Sequence, residues 1–191
     1  MNNIDKATEI LKNGGIVIFP TDTAFGIGCR IDDKDAVKKL FKIRRRPTTQ
    51  ATPVLVDSIE MAREYVESIS DDVLDLMNKY WPGALTIVLE SRIDKTPSLV
   101  RGGGSTIGVR IPNNITILEI IKKVGVPILG PSANFPGGAT PYKFKDLDQK
   151  LVSVVDFVVH GDTSVGNVST VIDCSVKPWK ILREGAVRID I

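Results

Sequence analysis

The chain has one histidine and two cysteines in 191 residues, and only 6% of it is aromatic. Each scarcity removes a class of chemistry. Cys29 and Cys174 form no metal-ligand spacing and no disulfide framework, which fits a reduced, cytoplasmic setting and leaves no zinc site. His160, at the end of an apolar run before Gly161-Asp162, is the histidine through which any Ser-His-Asp or Cys-His mechanism would pass. No serine stands in a nucleophile-elbow context, so His160 reads as structural. A net charge of +2 is too mild for a dedicated nucleic-acid binder, so any preference for anions is local. No apolar run approaches the roughly 18 residues that span a bilayer, and the N-terminus lacks the basic and apolar segments of a leader. The phosphate-binding Gly-x-x-x-x-Gly-Lys-[Ser/Thr] loop is missing, and Gly26-Ile27-Gly28 lacks the third glycine of a dinucleotide fingerprint.

What is present is a chain that is 42% hydrophobic and 25% charged, sufficient for one globular domain over residues 1–191. A helix is expected over Asp5 to Asn13, stopped by Gly14-Gly15, followed by a buried strand Ile16 to Phe19 that Pro20 ends. A turn from Thr21 to Gly28, with Gly26 and Gly28 free to take positive φ, would throw small hydroxyls off the strand end. Asp32 or Asp33 caps the next helix. Further on, the pattern gives a strand Pro53 to Val56, helices Ser58 to Ser68 and Ser70 to Tyr80, and a strand Ala84 to Leu89. A strand Thr106 to Ile111, a helix Ile115 to Val124 and a strand Pro127 to Leu129 follow. The tail reads as strands Val154 to Val159, Ser169 to Cys174, Trp179 to Arg183 and Ala186 to Ile189. Helix–strand alternation followed by a run of strands predicts an α/β fold on a mixed sheet.

Four polar stretches, each close to the end of a regular element, carry the chemistry. Lys42-Ile43-Arg44-Arg45-Arg46-Pro47 gathers cations at a helix C-terminus, where offsetting the helix dipole would by itself account for a few tenths to about one kcal/mol. Pro20-Thr21-Asp22-Thr23 and Pro131-Ser132-Ala133-Asn134 supply hydroxyls and a carboxamide. In Thr106 to Pro112, alternation puts Thr106, Gly108 and Arg110 on one face. An arginine inside a strand needs an acid or a ligand anion in contact. Guanidinium groups, hydroxyls and a carboxamide together suit nucleotidyl or phosphoryl transfer, in which the protein positions phosphates and stabilises developing charge.

With Trp81-Pro82-Gly83-Ala84-Leu85-Thr86, Ser169-Thr170-Val171-Ile172-Asp173 and Ile181-Leu182-Arg183-Glu184-Gly185 added in order, these stretches resemble the YrdC-like family of threonylcarbamoyl-AMP synthases from Gly14 to Gly185. The resemblance implies a twisted, mixed parallel and antiparallel sheet with helices around a concave basic cavity, in the short form without the extra C-terminal domain. It implies formation of threonylcarbamoyl-adenylate and pyrophosphate from L-threonine, bicarbonate and ATP, with Mg2+ travelling on the ATP phosphates. The product would pass to a tRNA threonylcarbamoyl transferase complex that makes the t6A modification. Carried over, the catalytic set is Arg44, Arg46, Ser132 and Asn134; ATP falls to Arg46, Thr106, Ser132 and Arg183, and threonine to Thr23, Arg110 and Ser169. The chain departs from the family in having Arg44 where lysine is usual, a longer loop Thr48 to Thr52, Thr52-Pro53-Val54 in place of Asn-Pro-Leu, and Asp57 near the threonine. Two alternatives stand beside this reading. One is a module of the same fold that binds tRNA or double-stranded RNA weakly, and the other is a divergent nucleotide-binding paralogue with another carbamoyl substrate.

Overall fold

The computed structural model describes residues 2–189. Helix α1, Asn3–Lys12, begins two residues ahead of the pattern because the Asn2 side chain accepts the Asp5 N–H and caps it. The chain turns through Gly14 at φ 77° into strand β1, Val17–Pro20, which is buried throughout.

The expected turn from Thr21 to Gly28 is the first difference. Residues Phe25–Gly28 form strand β2, antiparallel to β1, and the turn contracts to Thr21–Ala24. Gly26 and Gly28 are absent from the positive-φ positions among the described residues, so conformational freedom is not their use. Space is. A Cβ on Gly28 would stand 1.9 Å from the Leu129 carbonyl oxygen, and one on Gly26 would stand 2.7 Å from the Phe19 ring. The close approach at Gly28 lets β2 run against residues 127–133, through Leu129 N–H to Cys29 O at 3.0 Å and Ile27 N–H to Pro131 O at 2.9 Å. Gly28→Ala is expected to lower stability by about 1–3 kcal/mol through overpacking against an immovable backbone, read as a lower urea midpoint with an unchanged slope.

Asp33 caps α2, Lys34–Ile43, by accepting from the Asp35 and Ala36 N–H groups. The helix buries Ala36, Val37, Leu40 and Phe41 as one stripe and delivers Arg44 as its C-terminal cap. Arg45 then takes φ 51°, an uncommon left-handed turn for a side-chain-bearing residue, and Arg46 N–H bonds back to Phe41 O at 3.0 Å. Strand β3, Val54–Leu55, follows, then α3, Ile59–Arg63, far shorter than the pattern suggests. It stops because Arg92 N–H bonds Tyr65 O and Glu67 N–H bonds Glu90 O, which draws the chain out as an extended segment.

The remaining elements are α4 (Asp71–Tyr80), β4 (Leu85–Glu90), β5 (Thr106–Arg110), α5 (Ile115–Val124), β6 (Ile128–Leu129), α6 (Gln149–Val152), β7 (Phe157–Val158), β8 (Thr170–Asp173) and β9 (Lys180–Arg183). The tail is less β-rich than its composition suggests. A 3-10 turn at Phe144–Asp146 and α6 precede a β7 of two residues. Ala186 to Ile189 forms no strand and is pinned by isolated bonds from Ala186 N–H to Val168 O and Val187 N–H to the Thr170 hydroxyl.

Two mixed sheets result, ordered β2-β1-β7 and β6-β3-β5-β4-β8-β9, with parallel pairs β1/β7, β3/β5 and β4/β8. The bridges Gly26 to Ser132 and Arg30 to Ile128 join them along β2 and β6. Helices α1 and α5 cover one face through Leu11, Ile117, Ile120 and Ile121 against Val17 and Phe19. Among the described residues no helix is long and apolar enough to cross a membrane.

Register decides where the chemistry lies. In the larger sheet Val109 pairs Ile87, Leu85 pairs Thr170 and Val171 pairs Arg183. The C-terminal ends of β5 and β9 therefore meet the N-terminal ends of β4 and β8. Arg110, Thr86, Ser169 and Arg183 gather along one sheet end, beside the turn after β1 and the loop after β6.

Candidate functional site

At that sheet end lies a cavity of about 150 Å3. Thr23, Arg44, Arg46, Arg110, Ser132, Ser169 and Arg183 all line it, so seven of the nine site residues expected from sequence converge there. Thr106 lines an adjoining hollow of about 320 Å3, which shares Arg46, Thr86 and Arg183 with the first. Asn134 lines neither; it stands behind Ser132, accepting the Ser132 hydroxyl at 2.6 Å and donating to Gly138 O at 2.7 Å. Its contacts are those of a positioning residue.

The four arginines differ in what holds them. Arg110 is 5% exposed and clamped on three sides: Nε donates to Gly83 O at 2.8 Å, Nη1 to the Thr23 hydroxyl at 2.9 Å, and Nη2 to the Asp22 carboxylate. Three of the five guanidinium N–H donors are thus used, and two remain for the cavity. Burial pulls the Arg110 pKa down, and Asp22 pushes against that. Arg183 gives Nε and Nη2 to Ser169 O, at 3.0 and 2.7 Å, and Nη2 also to the Ser169 hydroxyl at 2.9 Å, leaving Nη1 free. Arg46 braces the loop after α2 by donating to Gln50 O and Ala51 O.

Arg44 is the exception. It is also 5% exposed, yet among the described residues it has no carboxylate partner; Nε makes a 3.3 Å bond to Asn134 O, and Nη1 is buried with no hydrogen-bond partner among them. Burial, aided by the Arg46 charge, pulls its pKa down to about 10. A buried cation with an unused donor, on a residue that lines the cavity, suits an anion.

The hydroxyls have assigned directions. Thr21 spends its proton on Ala24 O at 2.7 Å, so the 3.1 Å contact between Thr21 and Thr23 runs from the Thr23 hydroxyl to the Thr21 oxygen. Thr23 also accepts from Arg110 and in this arrangement presents an acceptor, suited to an ammonium or hydroxyl donor. Ser132, its proton on Asn134, must leave that carboxamide before it can donate to a phosphate oxygen. Ser169 meets Thr86 at 3.0 Å and Arg183 at 2.9 Å, which makes it the junction between the two halves of the cavity.

Sequence reasoning anticipated an acid or a ligand anion for Arg110 without naming Asp22, and it assigned Thr86 no place in the site. Both residues sit inside stretches already singled out, but Thr86 enters the cavity through the β4/β5 register, for which sequence offers no local signal. Thr52 is a further addition: its hydroxyl is buried without a partner at the edge of the second hollow. Among the described residues no cluster of three or more His, Cys, Asp or Glu side chains could hold a metal, and Asp22 is committed to Arg110.

The family model described as Telomere recombination, covering Sua5, YciO and YrdC proteins, matches residues 9–185. A Bacillus subtilis protein named threonylcarbamoyl-AMP synthase is 32% identical over 96% of this chain and 54% of its own length. The solved structure of Pyrococcus abyssi Sua5 complexed with L-threonine is similar at a TM-score of 0.91 and 31% identity, over 95% of this chain and 54% of that one. The crystal structure of Escherichia coli YciO gives a TM-score of 0.85 at 28% identity, over 95% of this chain and 88% of that one. The chain therefore spans about half the length of the Bacillus and Pyrococcus relatives. Match length, shared identity and a common mixed α/β fold lead to one conclusion: this chain belongs to the Sua5/YciO/YrdC family.

Proposed function

We propose that this chain, acting as one YrdC-like domain, is an L-threonylcarbamoyladenylate synthase, a nucleotidyltransferase that uses L-threonine, bicarbonate and ATP. The observation that carries the reading is the convergence of four guanidinium groups on one cavity, one of them buried with an unused donor and no acid. The L-threonine held by the Pyrococcus relative supports it.

In this reading the threonine carboxylate takes the two free N–H donors of Arg110, its amino group faces the Thr23 oxygen, and Ser169 closes that end. ATP lies toward Arg46, Arg183, Ser132 and Thr106, bringing Mg2+ as its counter-ion. The ammonium releases one proton to water, the amino nitrogen adds to the bicarbonate carbon, and water leaves, giving a carbamate. A carbamate oxygen then attacks the α-phosphorus, the bond to the bridging oxygen breaks, and pyrophosphate departs. No protein nucleophile is needed; the side chains hold the reactants together and offset charge as it develops. Arg44 meets the oxyanion that forms between the two substrates. The product carries an activated carbonyl suited to a separate transferase that loads adenosine in tRNA.

The test is to incubate the protein with ATP, Mg2+, labelled bicarbonate and each amino acid in turn. Label should enter an adenylate with threonine alone, with one pyrophosphate released per adenylate. Labelled adenylate with a different amino acid would identify a divergent paralogue. No adenylate, together with RNA affinity that falls steeply with salt, would identify an RNA-binding module.

A further inference from the structure

The cavity presents four guanidinium groups, yet among the described residues only one of them, Arg110, is matched by a carboxylate. Arg44, Arg46 and Arg183 lean on backbone carbonyls and a hydroxyl, and keep their full charge. We infer that Asp22 sets the ligand specificity of the Arg110 end, making it close to neutral so that it accepts an amino-acid zwitterion and turns phosphates away to the other three arginines. The inference rests on the proposed placement of the amino acid.

Three features support it. Asp22 is 3% exposed and sits behind Arg110, so a ligand touches the guanidinium while sensing the carboxylate charge. Asp22 is also fixed in place. Its carbonyl accepts Ser164 N–H at 3.0 Å, Val165 N–H at 2.8 Å and the Ser164 hydroxyl at 3.3 Å, so the loop after β7 holds it while a ligand comes and goes. Finally, the donors left on Arg110 suit a planar carboxylate, and the neighbouring Thr23 oxygen, with its proton directed at Thr21, presents an acceptor that suits the zwitterion's ammonium better than a phosphate oxygen. The fold thus discriminates by repulsion as well as by attraction.

The test titrates inorganic phosphate and L-threonine, separately and together, into the parent protein and Asp22→Asn, with folding checked by circular dichroism. In the parent, saturating phosphate should leave threonine affinity unchanged. In Asp22→Asn, phosphate should bind about tenfold more tightly and displace threonine, whose own affinity falls about tenfold. Competition between phosphate and threonine in the parent overturns the inference. So does a folded Asp22→Asn whose phosphate binding is unaltered. If Asp22→Asn does not fold, the parent competition experiment still decides. The pair Asp22→Asn with Arg110→Gln, which removes both charges, should also bind phosphate no better than the parent. Should the parent bind no threonine, the proposed function fails, while the gain of phosphate binding in Asp22→Asn still judges Asp22 alone.

Discussion

Replacing Arg44 by methionine should yield a protein at least as resistant to urea as the parent and about 10²–10³-fold slower in adenylate formation. The two halves of that expectation come from one feature. In the folded chain Arg44 is buried with a single 3.3 Å hydrogen bond, an unpartnered Nη1 and a second guanidinium, Arg46, close enough to depress its pKa. A charge left that way destabilises the fold, and methionine fills much of the same volume without needing a partner. In the proposed reaction the Arg44 guanidinium meets the oxyanion forming between bicarbonate and the α-phosphate, and on that reading its removal slows the step. Arg44→Lys restores the cation but not the fork, and should recover part of the turnover while threonine and ATP affinities stay near the parent values. Urea midpoints and pyrophosphate release measure the two halves independently. Near-normal turnover in Arg44→Met would remove Arg44 from the chemistry, and a large drop in its urea midpoint would show that the guanidinium is a structural strut.

The parts of the molecule legible from sequence are those governed by local rules. Asp33, one of the two candidate caps, starts α2, and α5 has the boundaries its apolar spacing predicts. The alternation in β5 is legible for the same reason: Thr106, Gly108 and Arg110 share a face and line connected hollows. Errors fall where distant chain decides. Gly26 and Gly28 look like turn glycines until Phe19 and Leu129 are seen against them, because a glycine needed for space and one needed for positive φ are identical in sequence. Ala186 to Ile189 has strand composition, but the ladder gives it only isolated hydrogen bonds at β8. The site divides the same way. Its cations and hydroxyls stand out as polar residues ending apolar runs, whereas the pairing of Asp22 with Arg110 spans 88 residues and leaves no local trace.

Arg110→Ala should abolish threonine binding while ATP affinity changes only a few-fold, and it should also cost about 3–5 kcal/mol of stability because Asp22 is left buried and unpaired. The two effects need separating, since an unfolded variant loses every ligand. Arg110→Gln combined with Asp22→Asn keeps the volume, removes both charges and leaves a carboxamide pair able to hydrogen-bond. It should regain much of the lost stability and still fail to bind threonine, because no cation remains for the carboxylate. ATP binding is the internal control: Arg46 and Arg183 line both hollows and stay in place in either variant, held by Gln50, Ala51 and Ser169. Equilibrium dialysis of each variant with each ligand, alongside urea unfolding of each variant, separates the two effects. Equal loss of threonine and ATP in the folded double variant would mean that Arg110 serves the whole cavity and that the division between an amino-acid end and a phosphate end is wrong. Loss of threonine alone would place the carboxylate on Arg110, because the double variant removes the charge without the collapse that a lone buried aspartate brings.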